Sequence, residues 1–349
     1  MSNERRFSAV NTKIRVLSSN LLSNSQFIEL INCDSLESQI NYLKDKTVYG
    51  EVLDNTNSIQ EVEVQLVRYI LKEFGKLLSF FTDNYKEFFK AVLMRYEIED
   101  LKIYIRVLQR GEDKTKISGG SLVTKSYHTI DFESLYKASN LNELVEMLKG
   151  TIYYKALSPY KLEEGTKILF YMEMNLDRLY FNNLFLKAKS LSPEDAGLFL
   201  KTLGRNIDML NIQWIYRGIK YYKLIPEELI NYTLPNGTVF NYKKIKEMCY
   251  STEEQLKQKV LNTKYKFLFD SGHDIDLFME RRIGRYLYYE FLKDFRKSKM
   301  DISLFISFIH LIEYEIRDII SILEAKRYDL DLGQTKEYLL RKIEGSDEQ

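Results

Sequence analysis

The chain has 349 residues, 45% hydrophobic, enough to bury a substantial core in two or three domains or in one large multi-lobed unit. Its 51 Lys+Arg against 50 Asp+Glu leave a formal net charge of +1, so no global field favours nucleic acid or an anionic membrane. Two cysteines, Cys33 and Cys249, stand far apart and in no CxxC, which argues against a disulfide framework or a zinc site and fits a reducing compartment.

Only four prolines and fifteen glycines point to long, uninterrupted helices. Met1 to Arg6 is polar and no apolar core follows, so no signal peptide is expected. The strongest apolar run, Ile302 to Ile312, is interrupted by Ser303, Ser307 and His310 and falls well short of the ~20 residues that span a bilayer.

Taken in order, residues 7–22 predict a helix opening on Phe7, with Val10, Ile14, Leu17 and Leu21 on one face and Asn11 and Arg15 beside it. A second helix starts near Gln26, and Asp34 or Ser35 caps a third carrying Leu36, Ile40 and Leu43. Thr47-Val48-Tyr49 reads as an N-cap and a short helical turn. Long helices follow at about 60–80 and from Asn84 to about Gln109. Gly111 to Thr129, rich in Gly, Ser, Thr and Lys, is the best linker in the chain.

The cycle then restarts. Leu141, Leu144 and Leu148 resemble the third helix, Thr151-Ile152-Tyr153 answers Thr47-Val48-Tyr49, and Pro159 and Gly165 mark a turn before a helix at about 166–189. Ser192-Pro193-Glu194-Asp195 opens another helix, Pro226 a short one, and Leu234-Pro235-Asn236-Gly237 is a turn. A third cycle runs through Thr263-Lys264-Tyr265, a turn at Asp270 to Asp274, and helices at about 275–297 and 301–327. A closing helix is expected at 334–343 and a disordered tail at 345–349. The expected division is lobe 1 at 1–112, a linker at 113–129, lobe 2 at 130–236 and lobe 3 at 237–344.

One frame organises these cycles: acid, two spacers, Asn/Asp, Leu/Ile, four spacers, a long charged residue. Its copies are Glu97, Asp100, Leu101 and Arg106; Asp208, Asn211, Ile212 and Arg217; and Glu315, Asp318, Ile319 and Glu324. They lie 111 and 107 residues apart. Each preceding long helix carries Glu-x-x-(Leu/Ile)-x-Arg, at Glu63/Arg68, Glu173/Arg178 and Glu280/Arg285, and this Glu precedes the frame's acid by 34, 35 and 35 residues. Three weak patterns in one order, three times, define a threefold internal helical repeat.

At about 100° per residue, offsets +1, +4 and +8 of the frame fall together as an apolar stripe. They are Ile98, Leu101 and Ile105; Met209, Ile212 and Tyr216; Ile316, Ile319 and Leu323. The acid and the Asn/Asp lie along one edge of the stripe. Residue +9 points half a turn from the acid, so Glu97 and Arg106 cannot pair within their own helix. A carboxylate pair such as Glu97/Asp100 suggests a metal site or an acid–base couple, but repetition in three cycles, with Asn211 in the second, favours satisfying backbone donors or a tyrosine hydroxyl.

No other pattern supports catalysis. There is no GxxxxGK(S/T) or GxGxxG, and Gly119-Gly120-Ser121 lacks the required lysine. His128, His273 and His310 fall in different repeats and stand in no HExxH, and Trp214 reads as core. The 26 tyrosines are spread along helix faces and suggest interfaces.

Three such cycles, read with Phe7, Asn11 and Arg15 as an aromatic-x-x-x-Asn-x-x-x-Arg helix, resemble the C subunit of bacterial and archaeal V/A-type rotary ATPases, the counterpart of the d subunit of eukaryotic vacuolar ATPases. The T-x-Y positions are met by Thr47/Tyr49, Thr151/Tyr153 and Thr263/Tyr265, and the acid-x-x-Asn-Leu…Arg signature in full by Asp208, Asn211, Ile212 and Arg217. Copy one has Asp100 in place of Asn; copy three has Asp318 and ends on Glu324. The resemblance covers residues 7–330. It implies an all-α, non-catalytic, funnel-like socket of three similar lobes about a pseudo-threefold axis, with no cofactor, no metal and no bilayer span of its own. Its implied partners are the D and F subunits of the shaft and the membrane rotor ring of c/K-type subunits, and its implied location is cytoplasmic, held at the membrane through that ring. The alternative is a helical-repeat adaptor, unconnected to ATPases, that binds a partner helix.

Overall fold

The computed structural model describes residues 3–54, 56, 58–113, 129–161, 167–269 and 275–343. Among them every regular element is helical, so the fold is all-α. Most of the expected linker, the turns at Gly165 and Asp270 to Asp274, and the expected tail lie outside the described residues.

In chain order the α-helices are α1 (Asn3–Ser18), α2 (Asn24–Ile31), α3 (Leu36–Lys46), α4 (Ile59–Leu78), α5 (Asp83–Arg110), α6 (Phe132–Leu135), α7 (Leu141–Met147) and α8 (Ile152–Leu157). They continue with α9 (Ile168–Lys189), α10 (Pro193–Arg217), α11 (Pro226–Tyr232), α12 (Tyr242–Cys249), α13 (Glu253–Leu261), α14 (Ile275–Lys297), α15 (Ile302–Arg327) and α16 (Leu332–Tyr338).

Local chemistry sets most boundaries. Ser23, Ser35 and Ser58 close capping boxes at the starts of α2, α3 and α4. Gly111, at φ 62°, ends α5 in the left-handed conformation that glycine adopts without strain. The first helix starts four residues before Phe7 and stops at Ser18, short of the expected Leu22. The hydroxyls of Ser18 and Ser19 donate to the carbonyls of Arg15 and Val16 there, which competes with continued helix. Thr47-Val48-Tyr49 opens a 3₁₀ turn, Val48–Glu51. The closing helix ends at Tyr338, because Asp318 accepts from the amides of Leu340 and Arg341 beyond it.

The described chain forms two compact units, one of Met1–Phe81 with Asp270–Gln349 and one of Thr82–Phe269. In the first, α15 is buried on nearly every face, as its apolar sequence requires. It runs antiparallel to α14, where Phe291 stacks on His310 at 4.3 Å and Arg317 reaches Glu280 at 3.5 Å. Phe305 meets Phe74 edge-on at 5.3 Å and Phe81 at 5.4 Å. α1 also packs on α15: Phe7 is fully buried, Asn11 donates to the Lys299 carbonyl at 3.1 Å, and Arg15 lies 5.0 Å over the Phe295 ring.

The second unit is built on α5 and α9, which lie antiparallel along most of their length. Successive cross-links are Asn183 Nδ2 to Met94 Sδ at 3.3 Å, Lys102 to Asp177 at 2.5 Å and Arg106 to Glu173 at 2.6 Å. At the far end of α5 the Tyr85 hydroxyl donates to buried Asp195, whose carboxylate also accepts from its own helix cap, Ser192. Phe88 meets Phe199 edge-on at 4.7 Å, seating α10 beside α5. All nine stripe positions at +1, +4 and +8 are at most 4% exposed.

Candidate functional site

The three acids of the repeated frame are buried, at 2%, 0% and 0% exposure for Glu97, Asp208 and Glu315. A carboxylate so placed must be surrounded by donors or it costs several kcal/mol. Asp208 accepts from the amides of Thr238, Val239 and Phe240 at 3.0, 2.8 and 3.1 Å, and from the Tyr265 hydroxyl at 2.8 Å. Glu97 accepts from the amides of Thr129 and Ile130 at 2.5 and 3.1 Å, from the Thr129 hydroxyl at 2.8 Å and from the Tyr153 hydroxyl at 2.5 Å. Glu315 accepts from the Leu22 amide at 2.8 Å and the Tyr49 hydroxyl at 2.6 Å, with the Arg341 guanidinium at 3.6 Å.

Each acid therefore takes its tyrosine from the following cycle, and the third takes it from the first. In all three cases an amide donor comes from the residue just before a helix cap: Leu22 before Ser23, Ile130 before Asp131, Phe240 before Asn241. The acid thus fixes both the entry of the next cycle and its T-x-Y turn.

The threonine positions the tyrosine. Thr47, Thr151 and Thr263 accept from the amides of Tyr49, Tyr153 and Tyr265 at 3.2, 3.2 and 3.1 Å. Their hydroxyls donate to Leu43, Leu148 and Val260 carbonyls. All three tyrosines are at most 1% exposed. Burial first, and the neighbouring carboxylate second, hold the Tyr49 and Tyr153 hydroxyls well above the ordinary tyrosine range, so both are donors at neutral pH.

The Asn/Asp of the frame pins the segment after the short helix that follows. Asn211 makes a reciprocal pair with the backbone of Leu234, 2.9 Å to its carbonyl and 2.8 Å from its amide. Asp318 accepts from the amides of Leu340 and Arg341 at 2.6 and 3.2 Å. Asp100 is 2% exposed at the same position in α5. Gly237 belongs to this geometry, since a Cβ there would collide with the Asp208 carboxylate.

The charged residue at +9 reaches the next cycle's Glu-x-x-Leu-x-Arg helix in the first copy, where Arg106 pairs with Glu173 at 2.6 Å. Arg217 is half-buried in the last turn of α10. Glu324 pairs locally with Arg327 at 3.6 Å. The sequence flagged Arg178 and Arg285 without a role; they donate to the carbonyls of Asn231 and Leu339, capping the C-terminal ends of α11 and α16.

Arg341 was not singled out from the sequence. It is 8% exposed, donates to the Leu22 carbonyl at 2.8 Å, and lies 4.2 Å over the Phe27 ring. Together with Glu315 and Asp318 it ties the N-terminal segment to the C-terminal one. Burial, partly offset by the Tyr49 hydrogen bond and Arg341, pushes Glu315 up to about 7. Burial, offset by the Leu340 and Arg341 amides, pushes Asp318 up to about 6.

Among the described residues no group of three His, Cys, Asp or Glu is arranged to hold a metal, and no helix is long and apolar enough to cross a membrane. Every acid of the frame whose partners are described is spent on backbone amides, tyrosine and threonine hydroxyls and one guanidinium. These features define an all-helical protein in which the buried acids of a recurring sequence frame each hold a segment far along the chain.

The comparisons with known proteins name that class. The sequence profile of the family described as "ATP synthase (C/AC39) subunit" matches residues 10–338, and the chain belongs to this family of rotary ATPase subunits. It is 24% identical over 348 residues to the A-type ATP synthase C subunit of Methanosphaera stadtmanae, covering 95% of this chain and 86% of that one. Proteins of the same name from Methanocaldococcus jannaschii and Methanothermobacter thermautotrophicus are 26% and 25% identical. These matches cover 69% and 71% of this chain, and 61% and 63% of theirs.

Proposed function

We propose that this protein is the non-catalytic central-stalk subunit of a V/A-type rotary ATPase. In this reading it is a funnel-like socket of three similar helical lobes about a pseudo-threefold axis. One mouth receives the end of the D–F shaft and the opposite face rests on the cytoplasmic ends of the membrane rotor ring. Torque passes through it, coupling ATP turnover in the soluble head to ion movement in the membrane. It sits in the cytoplasm, held peripherally at the membrane through the ring.

The observation that carries this reading is the cyclic order of the buried hydrogen bonds, first repeat to second, second to third, third back to first. A coupling element under torque needs stiffness in each of its parts and no weak point where the chain begins and ends. Buried charge-assisted hydrogen bonds to backbone amides supply that stiffness locally. The third set, with Leu22 and Arg341, joins the two ends of the sequence. Family membership agrees with a subunit of a rotary ATPase.

The test is removal of the chain from cells carrying the complete complex. Membranes lacking it are expected to lose the soluble ATPase head on washing, while the ring stays embedded. Heads that remain attached and ATP-coupled without it would overturn the reading.

A further inference from the structure

Three equivalent helix faces precede the frame's acids, and they differ sharply in character. On α10 the positions ten, seven and three residues before Asp208 are Leu198, Lys201 and Arg205. At about 100° per residue they share one face with Asp208, in a strip about 10 Å long. Leu198 is 40% exposed and Lys201 is exposed. Lys264, the middle residue of T-x-Y, joins the strip from the side. Its ammonium lies 4.9 Å from the centre of the Tyr265 ring, whose hydroxyl bonds Asp208. Lys244 adds a fourth cation beside the loop that Asp208 pins, donating to the Val239 carbonyl at 3.4 Å.

The corresponding positions on α5 are Glu87, Lys90 and Met94, with Ile152 in place of Lys264. There the lysine is neutralised by its own helix, Lys90 to Glu87 at 2.9 Å. On α15 they are Phe305, Phe308 and Ile312, all at most 3% exposed, with half-buried Val48 in place of Lys264. One of three equivalent faces is therefore basic, one self-neutralised and one core. Architecture alone does not account for the basic one.

Among the described residues no carboxylate lies within ion-pair distance of Lys201, Lys244 or Lys264. Asp208 is fully buried and its oxygens are taken by three amides and a hydroxyl. The Lys264 ammonium is held below the ordinary lysine range, first by partial desolvation and then by the positive charges of Arg205 and Lys201, with Asp208 acting in the opposite sense. Lysine ammonium groups gathered beside Arg205 repel it and one another, so the lysines of the strip cost stability unless an anionic group covers them.

We propose that the strip formed by Leu198, Lys201, Arg205, Lys244 and Lys264 is a docking surface for an acidic segment of a neighbouring protein chain. This rests on the reading above that the protein works inside a rotary ATPase assembly. The shape favours a chain segment over a single phosphate. The cations are spread over three elements, Lys201 and Arg205 one turn apart on α10, Lys244 in the first turn of α12 and Lys264 in the T-x-Y turn. The amides of residues 238–240 that would cradle a phosphate are already spent on Asp208. Leu198 on the same face gives an acidic segment one apolar anchor.

The experiment uses the intact purified complex carrying a photo-crosslinking benzoylphenylalanine in place of Lys264, with mass spectrometry of the crosslinked peptide. A crosslink to a segment of another protein of the complex, with Asp or Glu at neighbouring positions, is the expected result. A lipid adduct, a segment without carboxylates, or no crosslink to another protein overturns the proposal. In parallel, the triple variant Lys201→Glu, Arg205→Glu, Lys264→Glu is expected to lower retention of the chain in the complex at least ~10-fold, and Lys137→Glu to leave it unchanged. The wild-type contact should weaken from ~0.1 M to ~1 M salt, as the Debye length falls from ~10 Å to ~3 Å. Unchanged retention of the triple variant, with its circular dichroism and thermal midpoint like wild type, also overturns it. If the wild-type chain never co-purifies with a rotary ATPase, the functional reading fails instead, so the two failures are separable.

Discussion

Asp208 and Glu315 hold the same place in α10 and α15, yet the groups around them differ in number and kind. Asp208 lies where the chain runs on unbroken, and three consecutive amides of the following loop close on it along with Tyr265. Glu315 lies in the last repeat, where no such loop is described, and its donors come from the opposite end of the sequence. Leu22 supplies one amide, Tyr49 a hydroxyl and Arg341 a guanidinium. Consecutive amides of one loop form a site whose spacing the backbone fixes. The composite site needs three separately placed groups, and its carboxyl is pushed up to about 7. Continuity of the chain, more than the identity of the acid, sets how well the charge is housed.

The largest test of this comparison is Asp208→Ala. It leaves the amides of Val239 and Phe240 and the buried Tyr265 hydroxyl without acceptors, while the Thr238 amide keeps the Gly204 carbonyl at 3.3 Å. The expected loss is about 3–5 kcal/mol in urea unfolding of the purified chain. A loss below about 1 kcal/mol would mean that water or a shifted loop replaces the carboxylate.

The pH dependence separates the two sites next. Glu315 and Asp318 are both raised above their ordinary values, so folding favours their neutral forms. Their contribution is fully present below the unfolded carboxylate range near pH 4, and is lost as pH rises through about 6 and then about 7. At about 1.4 kcal/mol per pH unit, the rise of Glu315 from 4.5 to about 7 and of Asp318 from 3.8 to about 6 caps the fall between pH 4 and pH 8 at about 6 kcal/mol. Denaturant midpoints across this range should show it, and the double variant Glu315→Gln, Asp318→Asn should flatten it. An equally steep curve in the double variant would assign the effect to other groups.

Smaller again are the tyrosines. Tyr49→Phe removes one of the two hydrogen bonds that Glu315 accepts among the described residues, whereas Tyr265→Phe leaves Asp208 its three amides. Both are expected to cost about 1–3 kcal/mol, with Tyr49→Phe the larger. Equal thermal shifts for the two would contradict the difference in donor number.

The residues of these sites were legible in the sequence, but their pairing was not. Helical periodicity reports which face of a helix is buried, and it identified the stripes through Ile98, Met209 and Ile316. It carries no information about a partner 57 residues away, as Tyr265 is from Asp208, or 266 away, as Tyr49 is from Glu315. Leu22 contributes only its backbone amide and carbonyl, which leave no mark on residue type. Arg178 and Arg285 were visible as a recurring arginine, but their acceptors are carbonyls and equally silent. Arg341 lies in the third repeat at a position where no arginine recurs, since its counterpart in the second is Leu234, so counting copies could not find it. All-helical character, by contrast, followed directly from few prolines, few glycines and long amphipathic runs.

The smallest effect concerns the charged residue at +9, where the two ends of the comparison meet. In the first copy Arg106 bridges to Glu173 on α9, the helix antiparallel to its own. In the third copy the residue is Glu324, and the acid on the antiparallel helix α4 is Glu63. Glu63 lies above the ordinary carboxylate range, first through desolvation against its neighbours and then through repulsion from Glu324, although its side chain reaches solvent. Replacing Glu324 with arginine exchanges that repulsion for the pairing seen at Arg106, at the loss of the local contact with Arg327. Both groups are partly solvated, so the gain is limited to about 0.2–1 kcal/mol and should shrink in high salt. The measurement is the thermal midpoint of Glu324→Arg beside that of Glu324→Gln. If the glutamine variant gains as much as the arginine one, removing the repulsion accounts for the whole effect and no bridge to Glu63 forms.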